Sequence, residues 1–264
     1  MNNKAIGVFD SGIGGLSVVK CIMDKLPHEN IIYFGDIARI PYGTKSVSLI
    51  NKFASQTVKF LVERNVKAIV IACNTITAVA YDTVKQLAGG IPVIDVISNG
   101  AKACAKYNRV GVIATNATIK SNAYVNAIHK INPDIEVFSQ ACPLLVPLIE
   151  EGIITHNALD LILVDYLKAF TDKNIQAMVL GCTHYPLIKE SIKRIMGNDV
   201  VLIDPANNTC STVIDILQEN SLQHSDNNNP QYNFFITDVS TKFQQIGELF
   251  LNTPMQNIEL VSIE

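Results

Sequence analysis

Two short stretches place side chains able to do acid/base chemistry at matching points of the chain. Ala72-Cys73-Asn74-Thr75 and Gly181-Cys182-Thr183-His184 each close an apolar run with a cysteine, followed at once by amide or hydroxyl residues. Residues of those types start helices as N-caps. Both thiols are therefore expected at the C-terminal ends of parallel strands, the edge of an open α/β sheet where ligands bind. A helix N-terminus there offers unpaired N–H groups and partial positive charge, which suits a carboxylate ligand and is expected to lower a thiol's pKa. Taken singly, either cysteine reads first as a packing residue, since free cysteine is among the most buried residue types. A matched pair reads differently. If the two segments face each other across a cleft, one thiolate can remove a proton from a carbon while the other thiol returns one to the opposite face, which is the chemistry of racemisation.

Other residues could hold a substrate or assist the thiols. Asp10 and Ser11 open the turn Asp-Ser-Gly-Ile-Gly-Gly after the first strand-like run, placed for an ammonium and a carboxylate respectively; a plain N-cap is the competing reading. His184, two residues beyond Cys182, is either a proton relay or a helix-cap histidine, and Cys-x-His is too tight for the usual metal spacings. Gly12-Ile13-Gly14-Gly15 lacks the third glycine of a dinucleotide fingerprint, because position 17 is serine. Pro41-Tyr42-Gly43 reads as a turn, and the following Gly43-Thr44-Lys45-Ser46 lacks the earlier glycine that a phosphate loop needs. On residues alone Glu150 and Glu151, after the apolar run from Pro143 to Ile149, open a helix or face water.

These residues must be positioned by alternating strands and helices. Strand-like runs KAIGVFD, NIIYFGD, KAIVIAC, IPVIDVI, RVGVIAT, IEVFSQA, AMVLGC and VVLIDPA are interleaved with stretches of helical period, among them Leu16 to Leu26, Val47 to Leu61, TITAVAYDTVKQLA, ALDLILVDYLKAF and LIKESIKRIM. Continuous apolar strands imply sheets covered on both faces. The chain also repeats itself. Gly7-Val8-Phe9-Asp10-Ser11 resembles Gly111-Val112-Ile113-Ala114-Thr115, the two cysteine segments resemble each other, and Pro92-Val93-Ile94-Asp95 resembles Val201-Leu202-Ile203-Asp204. The expected fold is α/β, with two similar, pseudo-symmetric, doubly wound domains of mainly parallel strands and a site in the cleft between them. A helix-like TCSTVIDILQEN and a strand-like YNFFITD follow the second half. The first domain is therefore expected to be discontinuous, residues 1–97 plus 208–264, with 98–207 as the second. The hydrophilic stretch Gln223 to Gln231 is expected to be an exposed loop.

Composition agrees with a globular chain of about two domains. Of 264 residues 48% are hydrophobic and 17% charged, with 14 glycines and 10 prolines. A net charge of -3 argues against a protein that neutralises phosphates, so nucleic acid is not an expected partner. The start has no apolar leader and no run is long enough to cross a bilayer, so a soluble, unexported chain without a membrane partner is expected. Six cysteines without a CxxC pair suggest neither a disulfide scaffold nor a thiolate metal site and suit a reducing cytoplasm.

Asp10-Ser11-Gly12, Pro41-Tyr42-Gly43, Ala72-Cys73-Asn74-Thr75 and Gly181-Cys182-Thr183-His184-Tyr185-Pro186, in this order, resemble the aspartate/glutamate racemase family, in its glutamate-specific branch. The likeness covers essentially the whole chain. It implies an isomerase that interconverts L- and D-glutamate with no cofactor and no metal, supplies D-glutamate for peptidoglycan in the cytoplasm, and forms a homodimer. By that resemblance Cys182 acts on the L face and Cys73 on the D face. Asp10 and His184 assist proton transfer at Cys73 and Cys182, and Glu150 matches the family's acidic residue. Ser11, Tyr42, Gly43, Asn74, Thr75 and Thr183 match glutamate-binding positions, with Asp10 and His184 alongside them, and Thr115 and Thr118 look like further substrate contacts. Activation through an N-terminal extension is not expected, as nine residues precede Asp10. The rival readings are a sibling racemase acting on aspartate or another amino acid, a cysteine hydrolase with Cys182 attacking and His184 as base, and a non-catalytic binding module. Adjacency on one turn counts against the hydrolase, and the near-neutral charge gives the binding module no support.

Overall fold

Strands β1 (Ile6–Asp10), β3 (Ala68–Ile71) and β7 (Ala177–Gly181) are buried at every residue, as continuous apolar runs require when helices cover both faces of a sheet. The computed structural model describes residues 3–224, 229–239 and 241–263. In chain order the first half runs β1, α1 (Leu16–Lys25), β2 (Ile31–Gly35), α2 (Val47–Glu63), β3, α3 (Asn74–Leu87), β4 (Val93–Asp95) and α4 (Val96–Cys104). The second runs β5 (Arg109–Ala114), α5 (Asn116–Lys120), α6 (Ala123–Ile131), β6 (Glu136–Ala141), α7 (Leu145–Glu150), α8 (Asn157–Leu167), β7, α9 (Lys189–Met196) and β8 (Val201–Ile203). After these come α10 (Pro205–Glu219), β9 (Tyr232–Ile236), α11 (Thr241–Leu251) and β10 (Ile258–Leu260).

Among the described residues the strands form two sheets, ordered β10-β9-β2-β1-β3-β4 and β6-β5-β7-β8, and every pairing is parallel. The orders β2-β1-β3-β4 and β6-β5-β7-β8 correspond strand for strand, so the internal repeat is a repeat of topology. Cys73 follows β3 and Cys182 follows β7, equivalent places in the two sheets. The late strand β9 pairs with β2, in register from Ile31 opposite Tyr232 to Gly35 opposite Ile236. The matched aspartates Asp95 and Asp204 both cap helices, accepting the Ser98 and Ala206 amides at 2.7 and 3.0 Å. These two helices, α4 and α10, pack on each other where the chain passes between the sheets.

Several local expectations are corrected. IPVIDVI is strand only from Val93 to Asp95, because the Asp95 cap turns Val96 and Ile97 into the first turn of α4. VVLIDPA is strand only to Ile203, and α10 begins at Pro205, whose fixed φ suits a first helical turn. The run IEVFSQA is not buried on both faces: β6 is an edge strand with its residues exposed or half-buried. The stretch Gln223 to Gln231 lies partly outside the described residues.

Candidate active site

The first thiol is set by β3 and α3. Cys73 is itself the N-cap residue of α3, in an extended conformation, and makes no side-chain cap, so Asn74 and Thr75 begin the helix rather than cap it. Its sulfur donates to Ser11 Oγ at 3.4 Å. Beneath it lies Asp10, the last residue of β1, only 1% exposed, with one carboxylate oxygen accepting the Gly12 amide at 3.1 Å. The other, Oδ1, has no hydrogen bond of standard geometry, although the Cys73 thiol is near enough to pull on its charge. Burial raises the Asp10 carboxyl above its ordinary value, opposed by the His184 charge and the Gly12 and Gly15 amides. Burial also pushes the Cys73 thiol up, with the Asp10 charge adding to it, and the contact with the Ser11 hydroxyl and the backbone amides of Ile76 and Ser11 oppose only part of this. The expected lowering by a helix N-terminus is therefore overturned at Cys73, because desolvation inside a closed site outweighs the helix field.

The second thiol is framed differently. Beyond Cys182 the chain enters a 3-10 turn, Tyr185–Ile188, with Pro186 in its first positions, and only then α9, which ends at Gly197 with φ +86°. Cys182 does not head an α-helix. Its partner is a side chain: the sulfur lies 3.8 Å from His184 Nδ1, and His184 Nε2 lies 3.1 Å from Glu150 Oε1 at the end of α7. Burial alone would lower the His184 pKa, but the hydrogen bonds to Cys182 and Glu150 and their charges prevail and push it up to about 10. The free imidazole value is 6.5, so the stability this gives is complete below about pH 6.5 and is lost as pH rises through about 10. The thermal midpoint is accordingly expected to fall between these limits, and His184→Gln to flatten that part of the profile.

Both cysteines open onto one cavity of about 90 Å³, a size for one small solute rather than a nucleotide. It is lined by Ser11, Tyr42, Gly43, Asn74 and Thr75 from the first half, and by Thr115, Glu150, Thr183 and His184 from the second. Two expected substrate contacts stand behind this wall. Asp10 lies under Cys73, and Thr118 backs Thr115, their hydroxyls 3.1 Å apart. Each is a neighbour of a lining residue. The expected turn at Pro41-Tyr42-Gly43 is a 3-10 turn over Tyr42–Thr44. Asp36, the residue after β2, fixes Tyr42 by accepting its hydroxyl, and accepts Arg39 Nε at 2.6 and 2.9 Å and Thr237 Oγ1 at 2.9 Å.

Contacts across the two halves were not readable from motifs. Tyr124 of α6 donates to Asn74 Oδ1 at 2.6 Å, and Thr75 and Thr115 hydroxyls sit 3.0 Å apart. Asn116, Val146 and Pro147 also line the cavity, although nothing in their types announced it. Gly14 lets the halves meet, since a Cβ there would lie 2.3 Å from Thr183 Oγ1 and 2.7 Å from His184 Nδ1. Gly14→Ala is expected to displace His184 and cost turnover by a factor on the order of 10² with the fold retained, measured by steady-state kinetics beside circular dichroism.

Residues 6–212 match the family profile described as Asp/Glu/Hydantoin racemase. The chain belongs to the Asp/Glu/hydantoin racemase family. It is 52% identical over 263 residues to a glutamate racemase of Neisseria meningitidis serogroup B, covering 98% of this chain and 97% of that one. Among solved structures it resembles a glutamate racemase from Francisella tularensis, crystallised in complex with D-glutamate, at 56% identity and TM-score 0.96, covering 99% of this chain and 98% of that one. A glutamate racemase isoform from Bacillus anthracis follows at 37% identity and TM-score 0.94, with the same coverage. The racemase fold, two units built on parallel sheets, is thus common to these proteins and this chain. Among the described residues no helix is long and apolar enough to cross a membrane.

Proposed function

We propose that this chain interconverts L- and D-glutamate by proton transfer between two thiols, without a cofactor. The observation that carries the reading is that Cys73 and Cys182, at equivalent strand ends of two repeated sheets, line the same small cavity. The relatives named glutamate racemase, and the D-glutamate in the Francisella complex, supply the substrate.

From L-glutamate, Cys182 takes the α-proton with His184 as its partner, while the Cys73 thiol, kept protonated by burial and by Asp10, returns a proton to the opposite face. From D-glutamate the roles reverse, with Asp10 the group beside the accepting sulfur. Glu150 holds the His184 ring through Nε2 and fixes Nδ1 toward the sulfur. Ser11, Tyr42, Gly43, Asn74, Thr75, Thr115 and Thr183 hold the carboxylates and ammonium, presenting donors to the charge that grows as the proton leaves. The chain Cys182–His184–Glu150 would also suit a thiol nucleophile. A hydrolase of that kind gives Cys73 on the other wall, and Asp10 behind it, no task.

The proposal extends to a supply of D-glutamate for peptidoglycan in the cytoplasm, to a homodimer, and to the domain division after residues 97 and 207, which places each passage between units in α4 and α10. The decisive test incubates the purified chain with L-glutamate and no added cofactor. Optical rotation is expected to decay to zero as D-glutamate accumulates, with L-aspartate unchanged in parallel. Racemisation of aspartate with glutamate left intact would transfer the reading to the sibling specificity.

A further inference from the structure

Two other cysteines, neither of them lining the cavity, lie against each other where α1 packs on α10. Cys210 Sγ donates to the Cys21 carbonyl oxygen at 3.2 Å, and Cys21 Sγ lies 3.5 Å from Asn207 Oδ1, one helical turn before Cys210. Cys21 is half-buried and reaches solvent, whereas the other five cysteines are buried. We propose that Cys21 and Cys210 form a peroxide-reactive dithiol, a second thiol site separate from the cavity.

The surroundings divide the labour between the two sulfurs. The thiol–thiol contact with Cys210 lowers the Cys21 pKa, burial and the Asp204 and Asp24 charges oppose it, and the Lys25 charge one turn along α1 helps. Cys210 is shifted the other way by the same contact and by burial, which keeps its proton in place to serve its neighbour. Around the pair stand the charges of Lys25, Asp24 and Asp204. An accessible thiol whose pKa is lowered, beside a buried resolving thiol, is the arrangement that peroxide oxidation selects. Cys104 and Cys142, by contrast, are enclosed and pushed up by burial to about 12.

The Cys21 thiolate attacks one peroxide oxygen, the O–O bond breaks, and the departing hydroxide takes a proton to become water, leaving Cys21 as sulfenic acid. The Cys210 sulfur then attacks the Cys21 sulfur, the S–O bond breaks, and hydroxide leaves with the Cys210 proton as a second water. Two thiols are oxidised to one disulfide, and one hydrogen peroxide is reduced to two waters. The product staples α1, which starts at the Gly14-Gly15 turn beneath the cavity, to α10.

The test treats the full-length protein with a small excess of hydrogen peroxide, alkylates the remaining thiols and maps tryptic peptides without reduction. Trypsin isolates Cys21 in residues 21–25 and Cys210 in residues 195–242, each the sole cysteine of its peptide. The expected product is one linked pair of these peptides, lighter by two hydrogens than the separate thiols, released by dithiothreitol and absent in both Cys21→Ser and Cys210→Ser. These variants leave the cavity thiols in place, so loss of racemase activity in them is not expected. Recovery of Cys21 and Cys210 as separate alkylated or overoxidised residues, while other cysteines oxidise first, would overturn the proposal whatever the outcome of the glutamate assay.

Discussion

Cys73→Ala is expected to lower racemisation in both directions by about 10³-fold or more, since a positioned acid or base contributes on the order of 10²–10⁴ and here each direction needs both thiols. What survives should be one-sided. With Cys182 and its His184–Glu150 partners intact at 3.8 and 3.1 Å, the variant in deuterated water should still exchange the α-proton of L-glutamate without inverting it. Cys182→Ala should show the complement, exchange of D-glutamate alone, driven by Cys73 beside Asp10. Proton NMR of the α-resonance, alongside chiral chromatography of the same samples, reads both quantities. Wild-type rates of inversion in either variant are incompatible with a two-thiol mechanism. Exchange of both enantiomers by one variant would instead assign both faces to a single sulfur.

The second large effect concerns stability and lies outside the cavity. Lys67, just before β3, and Glu29, just before β2, form an ion pair with side chains 0% and 4% exposed, and Glu29 also accepts the His224 amide at 2.8 Å. Removing one member of a buried pair leaves the other charge in a medium that solvates it poorly, at a cost of about 3–5 kcal/mol. Lys67→Met should therefore lower the thermal midpoint by on the order of 10 °C. The double variant Lys67→Met with Glu29→Leu should recover much of that loss, because it leaves no orphaned charge. Calorimetry of the three proteins decides it: a double variant less stable than the single one would show that the pair stabilises by its attraction rather than by avoiding an orphan.

Lys67 and Glu29 also mark where reading the sequence stops. Charged residues flanking apolar runs are ordinarily solvated, and nothing in their spacing says that these two, 38 positions apart, are enclosed together. Period and repetition were legible by contrast. Apolar runs fix the strands at the centre of each sheet, and the matched Gly7 and Gly111, Cys73 and Cys182, Asp95 and Asp204 mark equivalent elements. Those signals are local, because strand burial and helix capping are decided within a few residues.

The identities of the two thiols, the turn carrying Asp10 and Ser11, and the α/β repeat thus belong to the sequence alone. The tertiary structure decided the rest: that both sulfurs reach one cavity, that Glu150 comes through His184 to Cys182, that Asp10 and Thr118 lie behind the wall, and that burial pushes the Cys73 thiol up. Each of these depends on how the two sheets meet. Electrostatics in such a junction is governed by distances and burial that residue order does not encode.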